Sequence, residues 1–506
     1  MNLSELLARN ARKYPNQEAV VVNQERISYR ELHQETNRFA AALQSLGVGC
    51  GDKVVLFMPN TKEFMISYFA VVRLGAIIVP INAKLTLPEV EYIVEHCDAS
   101  ALLVHEWLWE GVSGVECEGL ILVKTGKATE GWRSFEEVKE SESEKEIICS
   151  LQEDDDAAIL YTSGTTGKPK GVLFTNRSIL AVAIMMSIEM EYKPESRILH
   201  MMPLSHSAPL HLFMIGGMYV GATHVLSPTF TPEALLNLVE KEKITHFFGA
   251  PVAYLFTAKM PNIQSYNLSS MKYWVYGGAS LSKPDVKMIK EKFQTNSLCC
   301  VYGLTEAGPS GTLLRPEEHE TKSGSIGKRG ALGTEILIIN KDGEKVAPNE
   351  VGELILRGEG NMKKYYKDFE KTLEVFENGW IRTGDLAKYD ENGYIWIVDR
   401  KKDLIISGGV NIYPKEIEDL LVQLPYISDV AVVGVPHPEW GETVKAFIVA
   451  TEVVDNLAEK CKRFLSGGIA DYKIPKKYEQ VSELPRNATG KILKHVLRER
   501  TDGVLQ

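Results

Sequence analysis

The chain has 506 residues, too many for one hydrophobic core, so about two to four structural units are expected. Apolar residues make up 44%, which excludes a disordered chain, and a formal net charge of −10 argues against nucleic acid as a partner, since phosphate contacts need clustered Lys and Arg. Seven cysteines, an odd number with no C-x-x-C pair, argue against a disulfide framework or a zinc site.

Each cysteine is expected as a small buried apolar group in a reducing compartment. The N-terminal stretch has no apolar signal core and reads as an amphipathic helix. A second helix is expected from Tyr29, and a strand at Lys53–Met58. The longest apolar stretch, Phe64–Ile81, is interrupted by Arg73 and Gly75. A membrane span would be longer and free of charge, so a buried helix to Arg73 and a strand over Ala76–Pro80 are expected instead. A cytoplasmic protein without a transmembrane segment follows, with peripheral membrane contact and a homodimer left open. The run Glu140–Lys145 reads as a solvated surface connection.

Strand and helix patterns then alternate to about residue 330, as in parallel α/β layers. Short strands with turns follow to about 400, a small β-rich unit. A helix is expected at Pro414, where proline suits the first turn. The expected class is therefore α/β. Residues 1–400 form a large N-terminal domain of layered subdomains plus the β-rich unit. Residues 401–506 form a small α/β C-terminal domain.

Residues 161–171 read Tyr-Thr-Ser-Gly-Thr-Thr-Gly-Lys-Pro-Lys-Gly. Thr162, Ser163, Gly164, Thr165, Thr166, Gly167 and Lys168 can offer backbone N–H groups, hydroxyls and an ammonium to one polyanion. Apolar flanks, Ala157–Leu160 and Val172–Phe174, read as buried strands, so the loop joins strand to strand. Walker A needs a strand-to-helix loop with different glycine spacing, which this stretch lacks.

Tyr302-Gly303-Leu-Thr305-Glu306-Ala follows an apolar run and sits at a strand mouth, where ligands collect in open α/β sheets. Tyr302 offers a flat face for adenine. Thr305 and Glu306 offer hard oxygens for Mg²⁺ or for positioning an α-phosphate. In Tyr276-Gly277-Gly278-Ala279-Ser280, two glycines at a strand end let backbone approach a flat group. Asp385 in Thr-Gly-Asp and Arg400 in Val-Asp-Arg suit vicinal ribose hydroxyls, which a carboxylate and a planar guanidinium can bind. In Pro203-Leu-Ser-His206-Ser-Ala-Pro-Leu-His211 the histidines are poorly spaced for one helical face, with no third ligand near, so no metal site is read there. Late in the chain stand Ser407-Gly408-Gly409-Val-Asn-Ile-Tyr-Pro-Lys and Pro485-Arg-Asn-Ala-Thr-Gly-Lys491.

Taken in order, these strings resemble the adenylate-forming superfamily of acyl-CoA synthetases, firefly luciferase and nonribosomal peptide adenylation domains. The resemblance implies an AMP-forming acid–thiol ligase using ATP, Mg²⁺ and coenzyme A. It places residues 162–168 on the phosphates, with Thr165 and Glu306 at the metal. Gly278, Ala279, Ser280, Tyr302 and Gly303 border the nucleotide, and Asp385 and Arg400 its ribose. Thr305, Glu306, His206 and Lys491 are the implied catalytic residues, Lys491 being the family's terminal lysine. Lys402 is the implied hinge of a mobile C-terminal domain whose Ser407, Gly408 and Gly409 line a CoA tunnel. His206, Ala208, Gly277 and Gly278 would form the acyl pocket. Amino-acid activators of the superfamily carry an aspartate after the Pro-Leu segment. Ser207-Ala208-Pro209 has none, so an acid with an uncharged acyl tail is expected, a fatty acid first and an aryl acid second. A carrier protein in place of CoA, as the acceptor of a stand-alone adenylation enzyme, is the nearest alternative, with a luciferase-like oxygenase and a non-catalytic nucleotide sensor as remoter ones. Trp440 could stack on a CoA adenine, although a packed surface aromatic is the favoured reading.

Overall fold

The computed structural model describes residues 2–500 apart from 141–142, 144, 148, 163–167, 453, 467 and 487–491. The chain divides into two compact units. The first takes in Met1–Ile336, Leu356–Arg382 and Asn392–Tyr394; the second takes in Leu337–Ile355, Thr383–Glu391 and Ile395–Gln506. Where the sequence suggests one boundary near 400, the second unit also claims two earlier stretches. The reason is pairing: within Trp380–Tyr389, Asp385 faces Arg400 of the antiparallel strand Ile395–Arg400. Composition carries no trace of such a partnership.

The first unit holds two eight-stranded sheets, both largely parallel. One runs in the order Thr312–Leu314, Leu298–Tyr302, Tyr273–Gly277, His246–Gly249, Arg197–His200, Thr223–Leu226, Glu18–Val22, Glu25–Ser28. The other runs Lys364–Tyr365, Lys170–Thr175, Asp156–Thr162, Ile77–Pro80, Lys53–Phe57, Ala99–Val104, Ile121–Lys124, Arg133–Ser134. Interior strands such as Lys53–Phe57 and Ile77–Pro80 are almost continuously apolar, as strands covered on both faces must be.

The first helices form where the pattern places them. Helix Tyr29–Ser45 begins with a capping box, in which the Ser28 hydroxyl accepts from Glu31 N–H and the Glu31 carboxylate accepts from Ser28 N–H at 2.8 Å. Helix Lys62–Arg73 is buried almost all round, and Arg73 at its end is only 1% exposed. Arg73 donates to the Asn37 side chain and lies beside His33, so the buried cation is not left bare. Among the described residues no helix is long and apolar enough to cross a membrane.

A five-stranded sheet of Thr334–Ile339, Gly352–Gly358, Phe376–Glu377, Trp380–Tyr389 and Ile395–Arg400 accounts for the β-rich stretch. The second unit adds a long antiparallel pair, Ile427–His437 with Gly441–Ala450, packed against helix Pro414–Leu421. The fold is mixed α/β, with a large N-terminal domain and a smaller C-terminal one.

One sequence expectation needs correction. Cys97, Cys299, Cys300 and Cys461 are buried as expected, but Cys50 and Cys117 are exposed and Cys149 is half-buried. The segment after His206 is also unusual: Ala208–Ile215 forms a π-helix, continuing as α-helix Gly216–Val220. Such widened turns are rare and concentrate near functional sites.

Burial strips water from several histidines of the first unit. It lowers the pKa of His211, His246 and His319 to about 4 and of His224 to about 3. Unfolding exposes each ring and restores a value near 6.5. Between these values the unfolded chain binds the extra proton, so this contribution is complete above about pH 6.5 and is lost as pH falls towards 4. We expect stability to drop on the order of 1 kcal/mol per histidine by about pH 5.5. Melting curves at neutral and mildly acidic pH check this, and an unchanged or higher melting temperature in acid would contradict it.

Candidate active site

In the first unit the sequence motifs meet at the carboxyl ends of the parallel strands, where open α/β sheets bind ligands. The expected phosphate loop leaves strand Asp156–Thr162 and returns along Lys170–Thr175. These strands are antiparallel, and Thr162 faces Lys170. The loop therefore joins strand to strand, although Ser163, Gly164, Thr165, Thr166 and Gly167 lie outside the described residues. Its described rim is cationic. Lys168 Nζ lies 5.3 Å from the centre of the Tyr92 ring, and Tyr92 donates to the Pro169 carbonyl at 3.3 Å. Lys170 Nζ lies 5.1 Å from the centre of the Tyr365 ring.

Tyr365 joins this rim to the second motif. Its hydroxyl donates to Glu306 Oε1 at 2.7 Å, and the adjacent residues pair Lys364 with Leu173 and Tyr365 with Val172. The Glu306 carbonyl accepts from Met362 N–H at 2.8 Å. The Glu306 carboxylate is thus held beside the strand that leaves the phosphate loop. Sequence reading misses Tyr365, because only the long-range strand pairing brings it here. Tyr302 ends strand Leu298–Tyr302, and Gly303 follows it. A Cβ on Gly303 would run into the Pro309 carbonyl, so glycine is required by close backbone approach.

The third motif closes on the second. Ser207 Oγ and Thr305 Oγ1 share a hydrogen bond of 3.0 Å, and His211 Nδ1 reaches the Gly308 carbonyl at 2.8 Å. Asn60 staples the approach to His206, donating to the carbonyls of His200 and Met202 and accepting from Leu204 N–H. His206 Nε2 lies 3.1 Å from Asn82 Nδ2, just past the end of strand Ile77–Pro80. With the amide as donor, His206 carries its proton on Nδ1. His206 keeps part of its surface accessible, yet protein surrounds it closely enough that desolvation lowers its pKa to about 4. It is therefore a neutral imidazole at physiological pH.

Gly278, Ala279 and Ser280 are exposed at the end of strand Tyr273–Gly277. Gly278 has φ +82° with open space where a side chain would be. Gly277, the last residue of that strand, is buried. A Cβ there would meet the Val301 carbonyl at 2.7 Å and the Phe248 ring at 3.2 Å, so neighbours fill the space it vacates. Ala208 is half-buried at the start of the π-helix, whose later residues Leu210, Leu212, Phe213, Met214 and Ile215 are buried.

The second unit holds the ribose candidates. Asp385 is 3% exposed, and its Oδ1 pairs with Arg400 Nε at 2.5 Å across the two strands. Thr383 Oγ1 accepts from Asp385 N–H and donates to the Leu354 carbonyl. Lys402 is exposed, and its carbonyl accepts from Arg498, which also pairs with Asp403 at 2.9 Å. Gly408 and Gly409, with φ +57° and +80°, make the two-residue turn between strands Ile405–Ser407 and Val410–Ile412. Gly408 N–H donates to the carbonyl of Trp440, whose ring stacks on His437 at 4.7 Å and is 46% exposed. Lys491 lies outside the described residues.

The donor set suits magnesium. Glu306 and Thr305 present a carboxylate and a hydroxyl, and Mg²⁺ takes one or two carboxylates alongside substrate phosphates rather than an all-protein cage. Among the described residues no group of three or more His, Cys, Asp or Glu forms such a cage. Thr165, the other expected metal residue, falls outside the described residues.

Comparison with known proteins bears on the whole chain. The model of the AMP-binding enzyme family matches residues 7–366, and that of the AMP-binding enzyme C-terminal domain matches residues 416–491. Long-chain-fatty-acid–CoA ligase FadD13 of Mycobacterium tuberculosis is 33% identical over 478 residues, covering 94% of this chain and 93% of that protein. Indoleacetate–CoA ligase of Aromatoleum aromaticum is 35% identical over 505 residues, covering 99% and 98%. The crystal structure of ATP-bound MatB from Rhodopseudomonas palustris superposes with a TM-score of 0.90 at 28% identity, over 100% of both chains. This chain belongs to the AMP-binding enzyme family of the adenylate-forming superfamily, as an ATP-dependent acyl- or aryl-CoA ligase.

Proposed function

We propose that the chain activates a medium- or long-chain fatty acid. In the first step a carboxylate oxygen attacks the α-phosphorus of ATP, forming an acyl-adenylate and expelling pyrophosphate. In the second, the CoA sulfur attacks the acyl carbon, the thiol proton is lost, and AMP leaves. No protein nucleophile is needed; positioning and fixed charge carry the catalysis.

Residues 162–168 hold the phosphates in this reading, and Tyr302 with Gly278–Ser280 holds adenine. Asp385 and Arg400 take the ribose. Thr305 and Glu306 set the α-phosphate and would hold Mg²⁺, which supplies neutralisation of phosphate charge when bound. Neutral His206, oriented by Asn82, sits at the entry of the acyl pocket without a charge that would trap the substrate carboxylate. Lys491 bridges the attacking carboxylate and the phosphate during step one. The C-terminal domain then turns about Lys402 and brings Ser407–Gly409 to CoA. A cytoplasmic location fits these substrates, and a homodimer is compatible with them.

The observation that carries the fatty-acid reading is the uncharged wall after His206: Ser207-Ala208-Pro209 followed by a buried apolar π-helix. Similarity to FadD13 supports it. Similarity to the indoleacetate ligase favours a second reading, an aryl or arylacetic acid. Pyrophosphate release measured against a panel of acids, with and without CoA, separates these readings. The highest kcat/KM is expected for a saturated acyl chain of eight carbons or more; an aryl acid at the top would replace the first reading with the second. If thioester formed only on a carrier-protein pantetheine, the CoA step would be wrong.

A further inference from the structure

Three segments of the first unit converge on Gly75. Gly51 N–H donates to the Gly75 carbonyl at 2.9 Å, bringing the turn that contains Cys50 alongside. The third segment, which leads into strand Asp156–Thr162, contributes Cys149 and Leu151. The sulfurs of Cys50 and Cys149 each lie 3.1 Å from the point a Cβ on Gly75 would occupy, so no more than twice that distance separates them. Gly75 has φ +72°, and its missing side chain is what makes room for both. Cys50 is exposed and Cys149 half-buried, so solvent reaches the pair. The four buried cysteines lack this access, and Cys117 is exposed elsewhere in the sequence, beyond strand Ala99–Val104.

The geometry points to Cys50 and Cys149 as a redox-sensitive pair that closes into a disulfide under peroxide. The Cys50 sulfur attacks hydrogen peroxide, the O–O bond breaks, and a sulfenic acid and one water result. The Cys149 sulfur then displaces the sulfenic hydroxyl. One S–S bond forms, the thiol proton leaves with that hydroxyl as a second water, and two thiols have been oxidised for one peroxide reduced. A small rotation of each side chain brings the sulfurs to bonding distance. The bond ties the turn before strand Lys53–Phe57 to the stretch feeding the phosphate-loop strand, and it encloses about a hundred residues, a span over which cross-linking restrains the unfolded chain strongly.

The test uses the full-length protein, reduced or treated with hydrogen peroxide, with remaining thiols alkylated before digestion. The expected product is one peptide pair joining Cys50 to Cys149, lighter by two hydrogens, and a melting temperature raised by about 5 °C or more. In Cys50→Ser the pair and the shift should both vanish, and Cys149 should be recovered as an alkylated thiol. Cys149→Ser should abolish them equally. Recovery of Cys50 and Cys149 as separate thiols or sulfinic acids in the oxidised wild type would overturn the inference. So would preferential linkage of either to Cys117, or a melting shift that survives Cys50→Ser.

Discussion

Lys491→Ala should slow acyl-adenylate formation by about 10²–10³-fold, the usual cost of removing one preorganised charge at a reacting oxyanion. Thioester formation from supplied acyl-AMP should stay within a few-fold of wild type. The asymmetry follows from the chemistry. In step one, negative charge on the attacking carboxylate must approach a polyphosphate, and an ammonium between them relieves the repulsion. In step two the electrophile is already a mixed anhydride, and that bridge has no remaining role. Rapid-quench measurement of the two half-reactions separates the cases. Equal loss in both would show that Lys491 supports the domain as a whole and not adenylation.

Glu306→Gln should cost a comparable factor in the first half-reaction, about 10²-fold or more, with weaker dependence on added magnesium. The substitution keeps volume and one carbonyl oxygen but removes the charge. Because Tyr365 donates to Glu306 Oε1 at 2.7 Å, Tyr365→Phe provides a graded control. It leaves the carboxylate in place and removes one charge-assisted hydrogen bond, worth about 1.5–3 kcal/mol when fully lost. A loss near tenfold is expected, carried by KM for ATP as much as by kcat. If Tyr365→Phe proved as damaging as Glu306→Gln, the tyrosine would itself be touching the substrate. If Glu306→Gln kept wild-type adenylation, the carboxylate would have no place at the phosphate.

Much of the fold can be read from the chain because its signals are local. Ser28 and Glu31 announce the helix that starts at Tyr29, and Pro414 opens the helix that runs to Leu421. Apolar runs on both sides of residues 161–171 reveal two strands, and pairing of Thr162 with Lys170 makes them a hairpin. Motifs at strand ends are also local, which is why Thr305 and Glu306 stand out before any coordinates. What escapes depends on distant partners. Tyr365 enters the site only because Lys364–Tyr365 adds an edge strand beside Val172 and Leu173. Asn82 matters only because the end of one parallel strand faces His206 from the other sheet. Gly277 is fixed as glycine by the close Val301 carbonyl and Phe248 ring, neither of them near it in sequence. The π-helix Ala208–Ile215 leaves no mark in a stretch that is apolar apart from His211, because helical periodicity needs polar residues to display it. Cys50 and Cys149 are ninety-nine positions apart, and nothing near either predicts that Gly75 brings them together.

Exchange of labelled pyrophosphate into ATP most directly tests the central claim of a carboxylate-dependent adenylation. Exchange should require a carboxylic acid, proceed without CoA, and be accompanied by AMP release only once CoA is added. Exchange that ignores the acid, or a product of ADP and phosphate in place of AMP and pyrophosphate, would contradict it.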